Sequence, residues 1–440
     1  MDILTDRTLE SNRSLKINFA GGDLSSDAGL LLIHEFIKKM GLTDLIRSTF
    51  ATKDTASFRI HEDAANLEQV IYQIMGAYFT DDCADDLRHD PVFTTILGKD
   101  SLASQPTLSR FYQRMDQTTL EQLAKIQTEM RRRVYRIQKP EMVVFDIDST
   151  LLETFGKQEG EDFNYHYQAH GYHPLVCYDA LTGDALKIEL REGNVYTSTG
   201  VTDFMSPLIC EFQQDCPDTA LYLRGDSGFA VPGLYELCEE KGVRYTIRLK
   251  DNPTLRKNAA PIEALLQEKI QQNAVEYAVA FGEFMYQAKS WDRARRVVCK
   301  VEKPQGQIAI LHTFIVTDMQ AGPKEVIRYY CNRGRMENFI KESKSGFDFA
   351  GVSSKQFLVN ANRLQIHALV YNLLNWSRRL TFPESLQKFR INTLRLKIFK
   401  VAARFVRSGR YITFKLSSSC PYQKEYWQIL DNISRLCFTG

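Results

Sequence analysis

Asp148 and Asp226 each close an apolar, β-branched run, MVVFDID over 142–148 and TALYLRGD over 219–226. Both runs read as buried strands, so each carboxylate stands at the C-terminal end of its strand. In open sheets with crossover helices, ligand sites gather outside those ends. Two carboxylates brought together there repel unless cations lie between them. Magnesium suits such a pair, because it takes oxygen ligands, keeps several waters and bridges to phosphate oxygens. Two such ions stabilise the attacking and the leaving oxygen of an in-line displacement. A third acid, Glu337, lies in a segment that reads as one helix over residues 323–345. At about 100° per residue, Tyr330, Arg333, Glu337, Lys341 and Lys344 fall within roughly an 80° arc of that helix. A lone carboxylate among cations suits a face that meets metal and phosphate. A solvated helix laced by i,i+4 pairs is the plainer reading of the charges. It leaves Tyr330 and the matched acids at the strand ends without a reason.

The elements that must position these residues follow from the pattern around them. Residues 1–138 read as mostly helical: LEQVIYQIMGAYF (67–79) has helical spacing, and SQPTLSRFYQRM (104–115) opens with a capping Ser104 and Pro106 in its first turn. The basic run RRRVYRIQK (131–139) follows. From residue 142 the texture changes. MVVFDID, YHPLVCYDA (172–180) and ALKIELREG (185–193) read as strands, with a hairpin at LTGD. A helix follows at 201–214, a strand at 219–226, a helix at 231–242 ended by Gly242, and a strand at 243–250. The order β-β-β-α-β-α-β is that of an RNase H-like core. The expected layout is therefore a helical N-terminal region (1–138), an α/β RNase H-like domain (139–345) and a basic, largely helical C-terminal region (346–440). The stretch 251–320 interrupts the pattern, and its runs at 274–302 and 308–318 read as a β-rich insertion.

Charge separates the ends of the chain. Residues 341–440 hold 17 Lys and Arg against 5 Asp and Glu, a net of +12; residues 1–340 hold 39 against 49, a net of −10. Such asymmetry points to a polyanion at the C-terminal end. Within 391–410, Arg395, Lys397, Lys400, Arg404, Arg407 and Arg410 lie among apolar residues, as on a helix with a basic outer face. Arg131, Arg132 and Arg133 suit phosphate contacts better than sequence reading. No apolar run approaches the roughly 18 residues of a membrane span. The N-terminal MDILTDRTLESNRS has no basic segment leading into an apolar one, so no secretory signal is expected. Nine cysteines without a CxxC pair read as a reduced, cytoplasmic protein.

Tyr330, Arg333, Glu337 and Lys344 fit the spacing Y-x2-R-x3-E-x6-K. That signature resembles the transposases of the insertion-sequence 4 superfamily. FDIDST (145–150), RGDSGFA (224–230), GKQEG (156–160) and CNRGRMENFIKE (331–342) look more narrowly like the bacterial insertion-sequence 1380 family, and LASQPTLSRF (102–111) and ANRLQIHALVYNLL (361–374) are similar too. The likeness covers roughly residues 55–400. It implies a DDE active site of Asp148, Asp226 and Glu337 on an RNase H-like fold, using two Mg²⁺ ions for which Mn²⁺ can substitute. The 110 residues between Asp226 and Glu337 leave room for the family's β-insertion. Asp148, followed by Ser149 and Thr150, matches the first acid better than Asp146, which shares its strand face and would support it from behind. Tyr330, Arg333, Lys341 and Lys344 would grip DNA. The implied activity is cleavage at terminal inverted repeats and strand transfer into target DNA, by a homodimer bridging two element ends.

Two other functions compete. FDIDST also satisfies the D-x-D-x-T pattern of haloacid dehalogenase-like phosphatases, with Asp146 as nucleophile and Asp148 as acid; position 230 is Ala where that family wants a second Asp. A transposase descendant that binds DNA but has lost its chemistry is the other. The spacing of His166, His170 and His173 admits a zinc site, but without paired cysteines nearby these read as loop residues. Asn194 is either a substrate contact or a turn residue.

Overall fold

The computed structural model describes residues 6–437 except 57, 274–276 and 308. Outside the described residues lie the start of both insertion runs expected to be strands (274–276 and 308), the first five residues of the N-terminal stretch and the last three of the basic region. The chain divides into two compact units.

The unit of Val134–Lys344 and Val352–Leu364 is built on one sheet. Strands β1 (Met142–Ser149), β2 (Leu175–Asp179) and β3 (Ala185–Glu189) form an antiparallel meander, with Asp146 opposite Tyr178 and Val176 opposite Ile188. Helix α1 (Val201–Asp215) leads to β4 (Ala220–Gly225), which runs parallel to β1 with Arg224 beside Asp146. Helix α2 (Pro232–Lys241) stops at Gly242, whose φ of 67° suits a residue without Cβ, and leads to β5 (Arg244–Leu249), parallel to β4. The five strands lie in the order β3-β2-β1-β4-β5, the arrangement expected of an RNase H-like core.

The segment after β5 differs from the purely β-rich expectation. It opens with a helix, α3 (Pro253–Asn273), that seats Leu255, Ala259, Ile262 and Leu266 in the core. That spacing is helical, but Pro261 in the middle hides it from a pattern reading. Then come β6 (Ala278–Tyr286), β7 (Arg295–Lys303) and β8 (Leu311–Thr317), all antiparallel. β8 pairs with β5, so the sheet reads β6-β7-β8-β5-β4-β1-β2-β3.

Strand alternation decides which face each side chain takes. Val143, Phe145 and Ile147 enter a core with Phe204 and Phe212 of α1 and Leu234 of α2. Asp146 and Asp148 therefore take the opposite face. Two further helices belong to that side: α4 (Pro323–Cys331), whose Val326 and Ile327 pack on Val298 and Ile315, and α5 (Gly334–Phe347), whose Ser343 hydroxyl lies 2.8 Å from the Tyr178 hydroxyl. The expected single helix over 323–345 is thus two. Asn332 and Gly334 are poor helix formers, and the Arg333 N–H closes a turn on the Tyr330 carbonyl at 2.9 Å. Tyr330 lies in the last turn of the first helix, Arg333 lies in the connection, and only Glu337, Lys341 and Lys344 share a helical face.

The second unit comprises Met1–Arg133, Ser345–Gly351 and Gln365–Gly440, so N-terminal and C-terminal segments belong together. Its N-terminal part is helical, including Leu30–Lys39, Asp63–Met75, Pro91–Leu97 and Gln105–Gln113. Asp90 caps Pro91–Leu97 by accepting from the Val92 and Phe93 N–H groups at 2.8 and 3.1 Å. Ser104 precedes Gln105–Gln113 as expected, but its hydroxyl meets Thr107 rather than a backbone N–H.

The C-terminal basic segment is not the helix its spacing suggested. After a tight turn over Arg395–Phe399 come β9 (Ala403–Arg407) and β10 (Ile412–Leu416), an antiparallel hairpin. The β-branched and aromatic runs flanking Ser408 and Gly409 favour a strand pair over a helix. Arg395 is buried and donates to the carbonyls of Ile74, Met75 and Gly346, while Lys400 pairs with Asp27 at 2.6 Å. Among the described residues no helix is long and apolar enough to cross a membrane.

Candidate active site

β1 and β4 are parallel neighbours, so their C-terminal ends lie side by side. Asp148 near the end of β1 and Asp226 just after β4 line one cleft of about 550 Å³. Three short strands between β1 and β2 (Leu152–Glu153, Asp162–Asn164 and Ala169–Tyr172) form a small sheet of their own. This excursion contributes Asn164, His166, Tyr167 and His173 to the cleft; the loop after β3 contributes Asn194 and Thr197. Asp226 accepts from the Gly228 N–H at 2.8 Å, which fixes one of its oxygens. Gly228 is there because a Cβ would come 2.8 Å from Thr197 Cγ2 and 3.0 Å from Asp226 Oδ1.

Charge is concentrated at this spot. Burial pushes the Asp148 carboxyl above the usual carboxylate range; the Arg333 guanidinium, 2.9 Å from Oδ2, pulls it back, and the Asp226 charge pushes it up again. Burial acts against the charge on Arg333, but Asp148 and Asp226 overcome it and raise its pKa on balance. Arg333 also donates to the Ile147 carbonyl at 3.0 Å. Tyr167 is pushed up to about 12 by burial and the two acids, so it is a neutral donor, and it bonds the Ser149 carbonyl at 3.2 Å. Burial lowers Lys344, whose ammonium holds the Leu151 carbonyl at 2.6 Å.

Asp146 is used differently. It is fully buried, and both its oxygens accept from Arg224, at 2.6 and 2.7 Å. Arg224 in turn donates to the Tyr329 carbonyl at the end of α4, at 2.7 Å. The phosphatase reading needs Asp146 as an accessible nucleophile, and this geometry denies it. Glu337, in the first turn of α5, is exposed and is not among the cleft-lining residues. Among the described residues no three His, Cys, Asp or Glu side chains gather closely enough to hold a metal ion. Asp148 and Asp226 alone offer the hard oxygen donors and mutual repulsion that suit a divalent cation.

The family model described as transposase DDE domain group 1 matches residues 7–438. The chain belongs to the DDE transposases of group 1. No curated protein matches it. Among solved structures it is similar to a piggyBac transposase synaptic complex with hairpin DNA, at 14% identity over 93% of this chain and 85% of that one, with a TM-score of 0.45. It is also similar to a Mos1 transposase paired-end complex with the left transposon end, at 12% identity over 44% of this chain and 61% of that one, with a TM-score of 0.18.

Other residues singled out in this transposase have visible duties. Arg131 is buried. Arg133 donates to the Met40 and Gly41 carbonyls at 2.7 and 2.8 Å, and Arg132 lies 3.7 Å from Glu129. Arg133 is thus engaged within its own unit, and Arg131 is buried, so neither stands open to phosphates. The three histidines do not form a zinc site: His170 meets Glu161 at 3.0 Å, and His173 Nδ1 donates to the Val195 carbonyl at 2.7 Å. Asn194 donates to Asp162 at 2.6 Å while lining the cleft. Pattern reading overlooked Tyr167, Thr197 and Lys250. Only Lys250 carried a signal, since it follows the third parallel strand.

Proposed function

We propose that this DDE transposase cuts DNA at the terminal inverted repeats of an insertion sequence and joins the freed ends to target DNA, with Asp148, Asp226 and Glu337 as its acidic triad. The observation that carries the reading is the pair Asp148 and Asp226 at the ends of adjacent parallel strands, facing one cleft. The narrower kinship to the insertion-sequence 1380 family rests on the motifs alone. Asp148 and Asp226 would hold divalent metal, Mg²⁺ or Mn²⁺, with Glu337 joining when α5 and DNA come together. Such cations supply positive charge at the scissile phosphate and activate water as a nucleophile.

The chain's own residues do the rest. Arg333 neutralises Asp148 before substrate arrives and offers its guanidinium to a phosphate afterwards. Lys341, exposed one turn beyond Glu337, contacts the DNA backbone, and Tyr330 packs beside Arg333. Lys344 steadies the loop after β1 and keeps Asp148 aimed. Catalysis by positioning and charge neutralisation needs no covalent protein–DNA bond. Two element ends are to be joined, so the working assembly is a homodimer on DNA.

The test is a cleavage assay on duplexes bearing the element ends. Asp148→Asn, Asp226→Asn and Glu337→Gln should each lower the rate by about a thousandfold, as expected for several kcal/mol of lost transition-state stabilisation. Binding to the same duplex should persist. Normal nicking by any of the three variants sinks the assignment.

A further inference from the structure

Residues 385–424 contain ten Lys and Arg and no Asp or Glu. Some of these cations are consumed inside their unit: Arg395 on carbonyls, Lys400 on Asp27, and Lys397 on the Tyr422 hydroxyl. Four are not. Arg404, Arg407, Arg410 and Lys415 are exposed, and no ion pair or side-chain hydrogen bond engages them among the described residues. All four sit on the β9–β10 ribbon or its turn.

The register makes this costly for the isolated protein. Arg404 lies directly opposite Lys415. Cross-strand partners stand about 5 Å apart, and like charges there destabilise the pair. Strand alternation then places Arg407 on the other face, opposite Ile412, while Arg410 occupies the turn closed by the Ser408 N–H on the Tyr411 carbonyl at 2.9 Å. Tyr411 is 72% exposed at this leading end. The root is firm: β9 also pairs with Leu24–Ser25, and Phe405 packs edge-on against Phe414. Acids Asp23, Asp85 and Asp86 line a recess with Phe405, on the face of the ribbon opposite Arg404 and Lys415, so on that face a phosphate is repelled at the root and meets a cation only beyond it, at Arg407.

Unpaired cations on both faces of a narrow ribbon fit a trough with negative charge on either wall. A flat anionic surface would engage one face only. The major groove of duplex DNA, about 12 Å wide and flanked by phosphates, admits a two-stranded ribbon. We propose that the β9–β10 hairpin is a DNA-binding arm that enters the groove, with Arg404, Arg407, Arg410 and Lys415 on the flanking phosphates. This rests on the transposase reading above and adds to it the surface that holds the duplex.

The experiment measures binding of full-length protein to an element-end duplex by fluorescence anisotropy across a salt series. The comparison is wild type against Arg404→Ala/Arg407→Ala/Arg410→Ala/Lys415→Ala. Each lost phosphate contact lowers the salt slope by about 0.9, so the quadruple variant should lose about 3 to 4 from it and bind on the order of tenfold more weakly or worse. An unchanged slope and affinity in a folded quadruple variant overturns the proposal. Should that variant fail to fold, Arg410→Glu in the turn takes its place: a slope lower by at least about 1 supports the arm, and an unchanged one overturns it. A loss confined to vesicles of anionic phospholipid, with DNA binding intact, also overturns it. Metal-dependent nicking by the wild type separates the two readings. Nicking with a dispensable ribbon sinks the arm alone, whereas ribbon-dependent binding without nicking in any divalent metal sinks the catalytic reading alone.

Discussion

Arg333 sets its guanidinium 2.9 Å from Oδ2 of Asp148 and 3.0 Å from the carbonyl of Ile147, in the two-residue turn that separates α4 from α5. A side chain expected to grip DNA thus stands as the counter-ion of Asp148, the first acid of the proposed triad. Replacing it with Gln leaves Asp148 and Asp226 facing each other with less neutralisation, and a divalent cation should then stabilise the protein more. The thermal shift on adding saturating Mn²⁺ should be larger in Arg333→Gln than in wild type, by about 1.4 kcal/mol for each tenfold gain in affinity. An equal or smaller shift means that the guanidinium does not compete with metal at Asp148.

The two acids of FDIDST should separate cleanly by mutation. Asp146→Asn strands Arg224 in a buried site, and breaking such a pair costs about 3 to 5 kcal/mol, or roughly 10 °C in Tm for a unit of this size. Asp148→Asn should leave Tm close to that of wild type and remove cleavage. Calorimetry and a nicking assay on the same two preparations check this; the reverse pattern would exchange their roles.

Gly228 tests how tightly Asp226 is held. An added methyl group must push aside Thr197 or Asp226, since its Cβ would lie 2.8 Å from one and 3.0 Å from the other. Misplacement of a reacting group by about 1 Å costs on the order of a hundredfold in rate. Gly228→Ala should therefore cut nicking by between about tenfold and a hundredfold with little change in DNA affinity. Wild-type turnover in that variant would show that the Asp226 turn is slack.

The pH dependence of stability has a clear contributor in Glu239. Burial alone would raise its carboxyl, but hydrogen bonds from Arg295, Arg293 and Tyr245 bring it down to about 2. A depressed carboxyl stabilises the fold above its unfolded pKa and loses that contribution as pH falls through the folded value. Glu239→Gln should cost about 1 to 2 kcal/mol at neutral pH after allowing for solvent screening. That deficit should shrink between pH of about 4.5 and about 2, where the wild type loses the same network. A gap that stays constant through acid unfolding would assign it to packing instead.

Much of the catalytic fold could be read in advance because its strands are short apolar runs with punctuation. MVVFDID and TALYLRGD announce both their burial and the acids at their ends, and Gly242 marks a helix stop. What escaped depended on tertiary context. FDIDST favours Asp148 over Asp146, but the reason lies in Arg224, three core strands on in sequence and adjacent in the sheet, which takes up both oxygens of Asp146. The break before Gly334 was hidden because Tyr330, Arg333 and Glu337 keep helical spacing across it. In the C-terminal segment, basic residues at intervals of three mimic a helix face, while strand pairing across Ser408 and Gly409 wins. Of the three acids proposed to act together, Asp148 and Asp226 line the cleft while Glu337 is exposed on α5 outside its lining; a pattern in one dimension does not report such a separation.

β8 lies against β5, and that contact has a meaning for anyone who would trim this protein. Without the three-stranded extension, β5 would present a bare row of backbone N–H and C=O groups, flanked by Tyr245, Ile247 and Leu249. An open, apolar border of that kind recruits other chains by edge-to-edge pairing. The insertion between Asp226 and Glu337 is therefore no detachable ornament: it seals the flank of the sheet that carries Asp148 and Asp226, and a shortened version would clump.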